Sequence, residues 1–328
     1  MKITVLGGGS WGTALGSMLA ANGKEVALLL RNENAAHEIN SRHINNRYLP
    51  DIKLHENLKA TLKPEEAFAG TEVCLLAIPC QNMRQTLFAL TEYFLPGLPV
   101  VCASKGLELT THKTMSAVVR EVIPQACYAI LSGPSFAKEV ALGMPGAVVM
   151  ACADKILGES LRATFSGARF RVYSSVDVIG VEIGGAIKNV IAIAAGASDG
   201  LGFGHNARAA LITRGLAEMS RLGAALGANP ATFMGLSGMG DLVLTCTGDL
   251  SRNRRVGLGL AQGKALHEIT EDLHMVAEGV KTTEAAVALG QELGVDLPIA
   301  KTVCALLSGE YSPADAVKLL MGRALKEE

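Results

Sequence analysis

Lys2-Ile3-Thr4-Val5-Leu6-Gly7-Gly8-Gly9-Ser10-Trp11-Gly12-Thr13-Ala14 joins a short apolar run to a glycine-rich turn and then to small, helix-compatible residues. Strand, G-x-G-x-x-G, helix is the context in which that glycine spacing signifies a dinucleotide site. Gly7 permits the tight turn, Gly9 lets backbone approach a pyrophosphate, and Gly12 allows close helix–strand packing. The helix start, with Ser10 and Trp11 in its first turn, offers free N–H groups and a positive dipole end to phosphate.

Downstream, short apolar runs bounded by Gly, Pro or polar residues predict further strands at Glu25–Leu30, Val73–Ile78, Val100–Ser104 and Tyr128–Leu131, with others at Ala147–Ala151 and Phe170–Tyr173. Helical segments are expected at 10–22, 33–40, 81–94 and 111–122. This alternation predicts an α/β fold, an N-terminal doubly wound, Rossmann-like parallel sheet. After residue 178 Ala/Gly/Leu periodicity takes over. Asn229-Pro230 and Ser312-Pro313 are helix-start signatures, a capping side chain followed by proline. Helices are expected from 251 to 261, over Lys281–Leu293 and over Ser312–Leu325. The expected domains are a dinucleotide-binding domain over 1–178 and an all-α substrate and catalytic domain over 179–328.

Composition narrows the function. The chain has 328 residues, 49% of them hydrophobic, and a formal net charge of -1. Such balance provides no field for nucleic acid or acidic membranes, so any anion site is local. The apolar stretch from Val176 to Leu201 contains Asp177, Glu182, Lys188 and Asp199, which reads as a buried helix rather than a membrane insertion. No signal-peptide pattern opens the chain. The seven cysteines lack C-x-x-C spacing and the seven histidines lack metal spacing. Reduced thiols, a cytoplasmic setting and no metal are expected.

Ligands of an open parallel sheet bind at the carboxyl ends of its strands. Arg31 follows the second strand, where NAD-selective sites carry an acid for the ribose 2′-OH. It suits a 2′-phosphate, favouring NADPH, or it is a solvated arginine. Lys105 follows the fourth strand, and Ser132-Gly133-Pro134-Ser135-Phe136-Ala137 follows the fifth. Lys188 lies among apolar residues on both sides. Either it is desolvated, which lowers its pKa towards that of a general base, or it snorkels to water. Asp241, between glycine turns, orients a lysine or a substrate hydroxyl, or caps a helix. Ser251 is a candidate N-cap for a first turn holding Arg252, Asn253, Arg254 and Arg255. Arginines there oppose the macrodipole unless an anion binds; otherwise Arg254 and Arg255 point to water.

These segments together resemble the bacterial-type NAD(P)-dependent glycerol-3-phosphate dehydrogenases. The resemblance rests on Gly7 to Ala14, Lys105-Gly106, Gly133-Pro134-Ser135-Phe136-Ala137, Lys188-Asn189, Gly240-Asp241-Leu242 and Ser251-Arg252-Asn253. It implies reversible hydride transfer between NAD(P)H and dihydroxyacetone phosphate, giving sn-glycerol 3-phosphate for phospholipid synthesis. It implies that Lys188 is the proton acceptor in oxidation. Lys105, Gly133, Ser135, Asp241, Ser251, Arg252 and Asn253 would contact substrate. Ser10, Trp11, Arg31, Tyr48, Lys105, Ala137, Arg252, Val276 and Glu278 would contact cofactor. It further implies a cytoplasmic homodimer. The residues add Lys105 as an electrostatic stabiliser of the reacting oxygen and Asp241 as the group that holds Lys188. Two rivals share the architecture: a two-domain hydroxyacid dehydrogenase, which also employs a lysine, and a noncatalytic NADPH-binding sensor, which has no need of Lys188, Asp241 and Arg252 together.

Overall fold

The structure is a computed structural model that describes residues 1–273 and 275–322. The chain forms two compact units, one of Met1–Ser104 with Met115–Val178, the other of Lys105–Thr114 with Ile179 onwards. The ten residues Lys105–Thr114 therefore belong with the second unit, although the sheet chain continues on either side of them.

The first unit runs β1 (Lys2–Leu6), α1 (Ser10–Ala21), β2 (Glu25–Leu29), α2 (Glu33–Arg42), β3 (Ile44–Asn45), β4 (Leu49–Lys53), β5 (Leu58–Thr61) and α3 (Pro64–Phe68). It continues with β6 (Val73–Leu76), α4 (Met83–Ala89), β7 (Pro99–Cys102), α5 (Met115–Val122), β8 (Cys127–Ser132), α6 (Ala137–Ala141), β9 (Gly146–Cys152), α7 (Lys155–Phe165) and β10 (Phe170–Ser175). The main sheet has eight strands in the order β10-β9-β8-β7-β6-β1-β2-β5. Both faces are covered, as the alternation along each strand requires: Ile3, Val5, Val73 and Leu75 enter one apolar cluster, while Leu6, Cys74 and Leu76 enter the other. Strand order reverses at β1, between β6 and β2, which puts the glycine turn at the topological switch point.

The structure departs from the sequence expectations in several places. The β3–β4 hairpin and β5 carry no clear strand pattern and were not anticipated. The pairing of β8 with β9 is antiparallel, within a sheet whose other pairings are parallel. Between them the five-residue α6 rises only about 7.5 Å. The whole connection, residues 133–145, contains no other helix, whereas the parallel pairs β1–β2 and β9–β10 are joined through the longer α1 and α7. The helix expected over 81–94 is confined to α4, flanked by 3₁₀ turns at Cys80–Asn82 and Thr91–Tyr93. The Thr91 hydroxyl donates to the Leu87 and Phe88 carbonyls and so helps close that helix. The helix expected from 111 begins at Met115, because Thr114 pairs with Leu107 in an isolated β-bridge.

The second unit is helical: α8 (Val178–Gly200), α9 (Gly204–Ala225), α10 (Asp241–Thr247), α11 (Arg252–Ala261), α12 (Leu266–Leu273), α13 (Glu278–Glu292), α14 (Pro298–Leu307) and α15 (Pro313–Met321). Asn229-Pro230 opens a 3₁₀ turn, Pro230–Met234, and the Asn229 side chain caps it. The expected 312–325 helix falls partly outside the described residues, since 323–325 are among those not described. α8 is long and apolar enough to cross a membrane, but 83% of its most apolar window is buried inside the protein. Leu107, wholly buried, joins the same apolar cluster as α8, and His112 Nδ1 lies 2.7 Å from Glu292 at the end of α13. These contacts fasten the Lys105–Thr114 segment into the helical unit.

Candidate active site

In the first unit, the turn after β1 is shaped by steric necessity. Gly7 has φ +115°, and a Cβ there would lie 2.5 Å from the Ala77 carbonyl oxygen. A Cβ on Gly12 would overlap the Gly7 carbonyl oxygen, whereas a Cβ on Gly9 would meet nothing within 4 Å. Protein packing thus explains two of the glycines, and the third faces open space. The Trp11 indole Nε1 is buried without a hydrogen-bond partner among the described residues. An open backbone approach, a helix start and an orphaned donor together fit a bound dinucleotide.

The other candidate residues of this unit are spread over the strand ends. Arg31 is exposed just beyond β2, and Tyr48 is half-buried in the β3–β4 hairpin beneath the Arg47 guanidinium. Gly133 follows β8 with φ +145°, and its carbonyl accepts from the Ser135 hydroxyl at 2.9 Å. Ala137 is the first residue of α6.

In the second unit, three charged side chains converge. Lys188 Nζ lies 2.5 Å from Asp241 Oδ1, and Lys105 Nζ lies 2.7 Å from Asp241 Oδ2. Each carboxylate oxygen holds one ammonium. Asp241 is 1% exposed and Lys188 7%, so the snorkelling alternative for Lys188 does not hold. The approach of the two backbones makes this possible. Gly184 is one helical turn before Lys188 on α8, and a Cβ there would come within 2.5 Å of the Ser237 carbonyl oxygen. Ser237 belongs to a π-type turn, Leu236–Gly240, which leads directly into Asp241 at the start of α10. Such turns are frequent at functional sites.

Thr245 completes the arrangement, and sequence reasoning missed it. Its hydroxyl donates to the Asp241 backbone carbonyl at 2.6 Å and accepts from Lys188 Nζ at 2.9 Å. The signal available was its place one turn beyond Asp241 on a helix, which sets both on one face. Lys188 therefore directs two N–H bonds at protein, to Asp241 and Thr245. Its remaining tetrahedral position is a third N–H when protonated and a lone pair when neutral.

Electrostatics tune that nitrogen. Burial pushes the Lys188 pKa down to about 8, with Asp241 opposing and the Lys105 charge adding to the fall. Burial raises the Asp241 carboxyl, but Lys105 and Lys188 together outweigh it and hold the group below the usual carboxylate range. With both amines protonated the cluster is net positive. The neighbouring Cys246 thiol is pushed up to about 12 by burial, which leaves it inert as a nucleophile.

The arginine-rich turn resolves into distinct roles. Ser251 is the N-cap of α11, its Oγ accepting from the Arg254 N–H at 3.2 Å. Arg254 does not point to water: it pairs with Asp199 at 2.8 Å and Asp249 at 2.9 Å. Asp199 also holds Arg208 at 3.0 Å. Arg255 is exposed. Arg252 is half-buried and makes no ion pair or hydrogen bond with a side chain among the described residues. Burial lowers its pKa, with Glu278 opposing. Asn253 donates to Asn189 Oδ1 at 2.9 Å and accepts from the Gly279 N–H at 3.0 Å. It thereby ties α11 to α8 and α13. Val276 is exposed and Glu278 begins α13.

Comparison with known proteins adds a family. The model of the NAD-dependent glycerol-3-phosphate dehydrogenase N-terminus matches residues 2–157, and that of the C-terminus matches residues 177–318. A glycerol-3-phosphate dehydrogenase (NAD(P)+) of Oleidesulfovibrio alaskensis is 58% identical, with 100% of each chain covered. One from Nitratidesulfovibrio vulgaris is 56% identical, again with 100% of each chain covered. The crystal structure of glycerol-3-phosphate dehydrogenase from Coxiella burnetii superposes with a TM-score of 0.94 at 38% identity, covering 98% of this chain and 99% of that one. The chain belongs to the NAD-dependent glycerol-3-phosphate dehydrogenase family.

Proposed function

We propose that the protein is an NAD(P)-dependent sn-glycerol-3-phosphate dehydrogenase that interconverts dihydroxyacetone phosphate and sn-glycerol 3-phosphate and so supplies phospholipid synthesis. The observation that carries this reading is the buried Lys188–Asp241–Lys105 cluster, whose Lys188 amine has a pKa of about 8. The family membership and the shape of the Gly7–Gly12 turn support it.

A nicotinamide dinucleotide held at the Gly7–Gly12 turn would supply the hydride for reduction of the carbonyl and accept it in oxidation of the alcohol. Lys188 handles the proton. In reduction its third N–H protonates the oxygen on which negative charge develops; in oxidation its lone pair takes the hydroxyl proton. Lys105, held on the other oxygen of Asp241, lowers the energy of the same developing charge. Asp241 and Thr245 fix the direction of the Lys188 nitrogen, so proton transfer needs no rearrangement of the lysine. Arg252, which makes no ion pair among the described residues, is the phosphate receptor, with Ser251, Asn253 and the free N–H groups of the α11 start. Gly133 and Ser135 provide further substrate contacts. Gly7, Gly9, Ser10, Trp11, Gly12, Arg31, Tyr48, Ala137, Val276 and Glu278 bind the dinucleotide, with Arg31 favouring NADPH through its 2′-phosphate.

We also assign the protein to the cytoplasm as a homodimer. Seven cysteines free of disulfides support a reducing setting, and the family resemblance supports the dimer. The decisive measurement is NADPH and NADH oxidation, followed by absorbance, with dihydroxyacetone phosphate, dihydroxyacetone and a carboxylate-bearing analogue. Turnover dependent on the phosphoester supports the reading. Turnover favouring the carboxylate replaces it with a hydroxyacid dehydrogenase, and cofactor binding without turnover replaces it with a sensor.

A further inference from the structure

Asn45, the last residue of β3, is 0% exposed although it lies in a polar hairpin. Its side-chain amide donates to the Gly8 carbonyl at 3.0 Å and to the Thr13 hydroxyl at 2.9 Å. Both of its N–H bonds are thus directed at the glycine turn, one before the helix start and one within its first turn. Its Oδ1 is buried without a partner among the described residues. A buried, unpaired carbonyl is costly, so a side chain kept there for packing alone is unfavourable.

The two donated bonds suggest what offsets that cost. No peptide bond in the described chain is cis. In a trans peptide the carbonyl and the following N–H point in opposite directions. Holding the Gly8 carbonyl towards Asn45 therefore fixes the Gly9 N–H pointing away from it. That N–H has no acceptor among the described residues, and the space beside the Gly9 Cα is open. The Thr13 bond anchors the other end of the turn to the same side chain, while Thr13 N–H closes onto the Gly9 carbonyl at 3.0 Å.

We propose that Asn45 is a positioning residue for the dinucleotide: by holding Gly8 and Thr13 it aims the Gly9 amide at the pyrophosphate. This rests on the reading of the protein as an NAD(P)-dependent dehydrogenase. Asn45 acts through the turn and does not touch the reacting atoms.

The chain contains one tryptophan, Trp11, and it lies in this turn. Its emission reports dinucleotide binding without turnover. Titrating NADPH into wild type, Asn45→Ala and Asn45→Asp should show affinity falling about tenfold in both variants. The aspartate keeps the shape of the side chain and removes the donor, which guards against a merely unfolded alanine variant. Steady-state rates should show the Michaelis constant for NADPH rising by a similar factor. The turnover number at saturating NADPH and the Michaelis constant for dihydroxyacetone phosphate should stay within about twofold of wild type. Wild-type titration curves for the aspartate variant overturn the proposal, as does a loss of turnover and melting temperature with unchanged NADPH affinity. A wild type whose emission ignores both NADPH and NADH removes the functional reading and the proposal with it.

Discussion

The Lys188 amine and the Asp241 carboxylate meet at 2.5 Å, and the opposite oxygen of that carboxylate holds Lys105 at 2.7 Å. One acid thus serves two bases, and its charge cannot neutralise both. Burial, helped by the Lys105 charge and opposed by Asp241, holds the Lys188 pKa near 8, within reach of physiological proton transfer.

The pH dependence follows with a definite sign. In the proposed mechanism oxidation of glycerol 3-phosphate needs neutral Lys188, so its rate should climb with pH and level off above about 8. Reduction of dihydroxyacetone phosphate needs the ammonium and should decline above the same value. Lys188→Ala should lower turnover in both directions by about 10²–10⁴-fold while NADPH binding persists. Lys188→Arg should be as inactive in oxidation, because a guanidinium does not release its proton. Near-wild-type rates for either variant would exclude Lys188 from proton transfer.

Asp241→Asn tests what opposes the burial of Lys188. The aspartate raises that pKa, so removing its charge should move the acid limb of the oxidation profile to lower pH, along with a loss of rate. The profile of kcat/KM against pH measures it. An unmoved midpoint would mean that Asp241 orients Lys188 without tuning it.

Arg252 and Arg254 are near neighbours on α11 and should fail differently. Arg252→Ala should weaken dihydroxyacetone phosphate about tenfold or more, yet leave the poor substrate dihydroxyacetone unchanged. Arg254→Ala breaks the pairs with Asp199 and Asp249, and its main signature should be a lower melting temperature. Comparing Michaelis constants with thermal melts separates the two. Equal effects of Arg252→Ala on both substrates would remove the phosphate assignment.

Glu218 makes the stability of the helical unit sensitive to pH. It is 1% exposed and accepts the Ile299 and Ala300 N–H groups at the start of α14, at 2.6 and 3.3 Å. Burial raises its pKa from 4.5 to about 7, against the pull of those two N–H bonds. The folded state therefore binds a proton more tightly than the unfolded state does. Its contribution to stability is full below about 4.5, diminishes as pH rises to about 7, and is flat beyond. Melting temperatures between pH 5 and 8 should fall in the wild type and flatten in Glu218→Gln. Parallel curves would show that Glu218 does not titrate in that range.

What could be read from sequence depended on how local the determinant is. The β1 turn was legible because its glycines, the strand before them and the helix start after them all lie within Lys2–Ala14, and Gly7 and Gly12 fail sterically if replaced. The direction of β9 was not, since Gly146–Cys152 has the same apolar pattern whichever way it runs. Lys188 looked equally like a buried base and a snorkelling surface residue until the packing of α8 around it was known. Thr245 and Asn45 were invisible for a common reason. Their bonds, to Lys188 and to Gly8, reach 57 and 37 residues along the chain, and a threonine in a helix or an asparagine in a hairpin normally needs no such explanation.

The detour of Lys105–Thr114 into the helical unit has a consequence for how such a protein can be rearranged. A gene cut after codon 178 would leave Lys105 and Leu107 on the wrong fragment, stripping the helical piece of one amine and of a plug in its core. Exchanging the amino-terminal half for that of another dehydrogenase would bring in a foreign loop at the same place. The two halves are therefore modular in shape but not in heredity: a viable chimaera has to carry this ten-residue graft across with the helices.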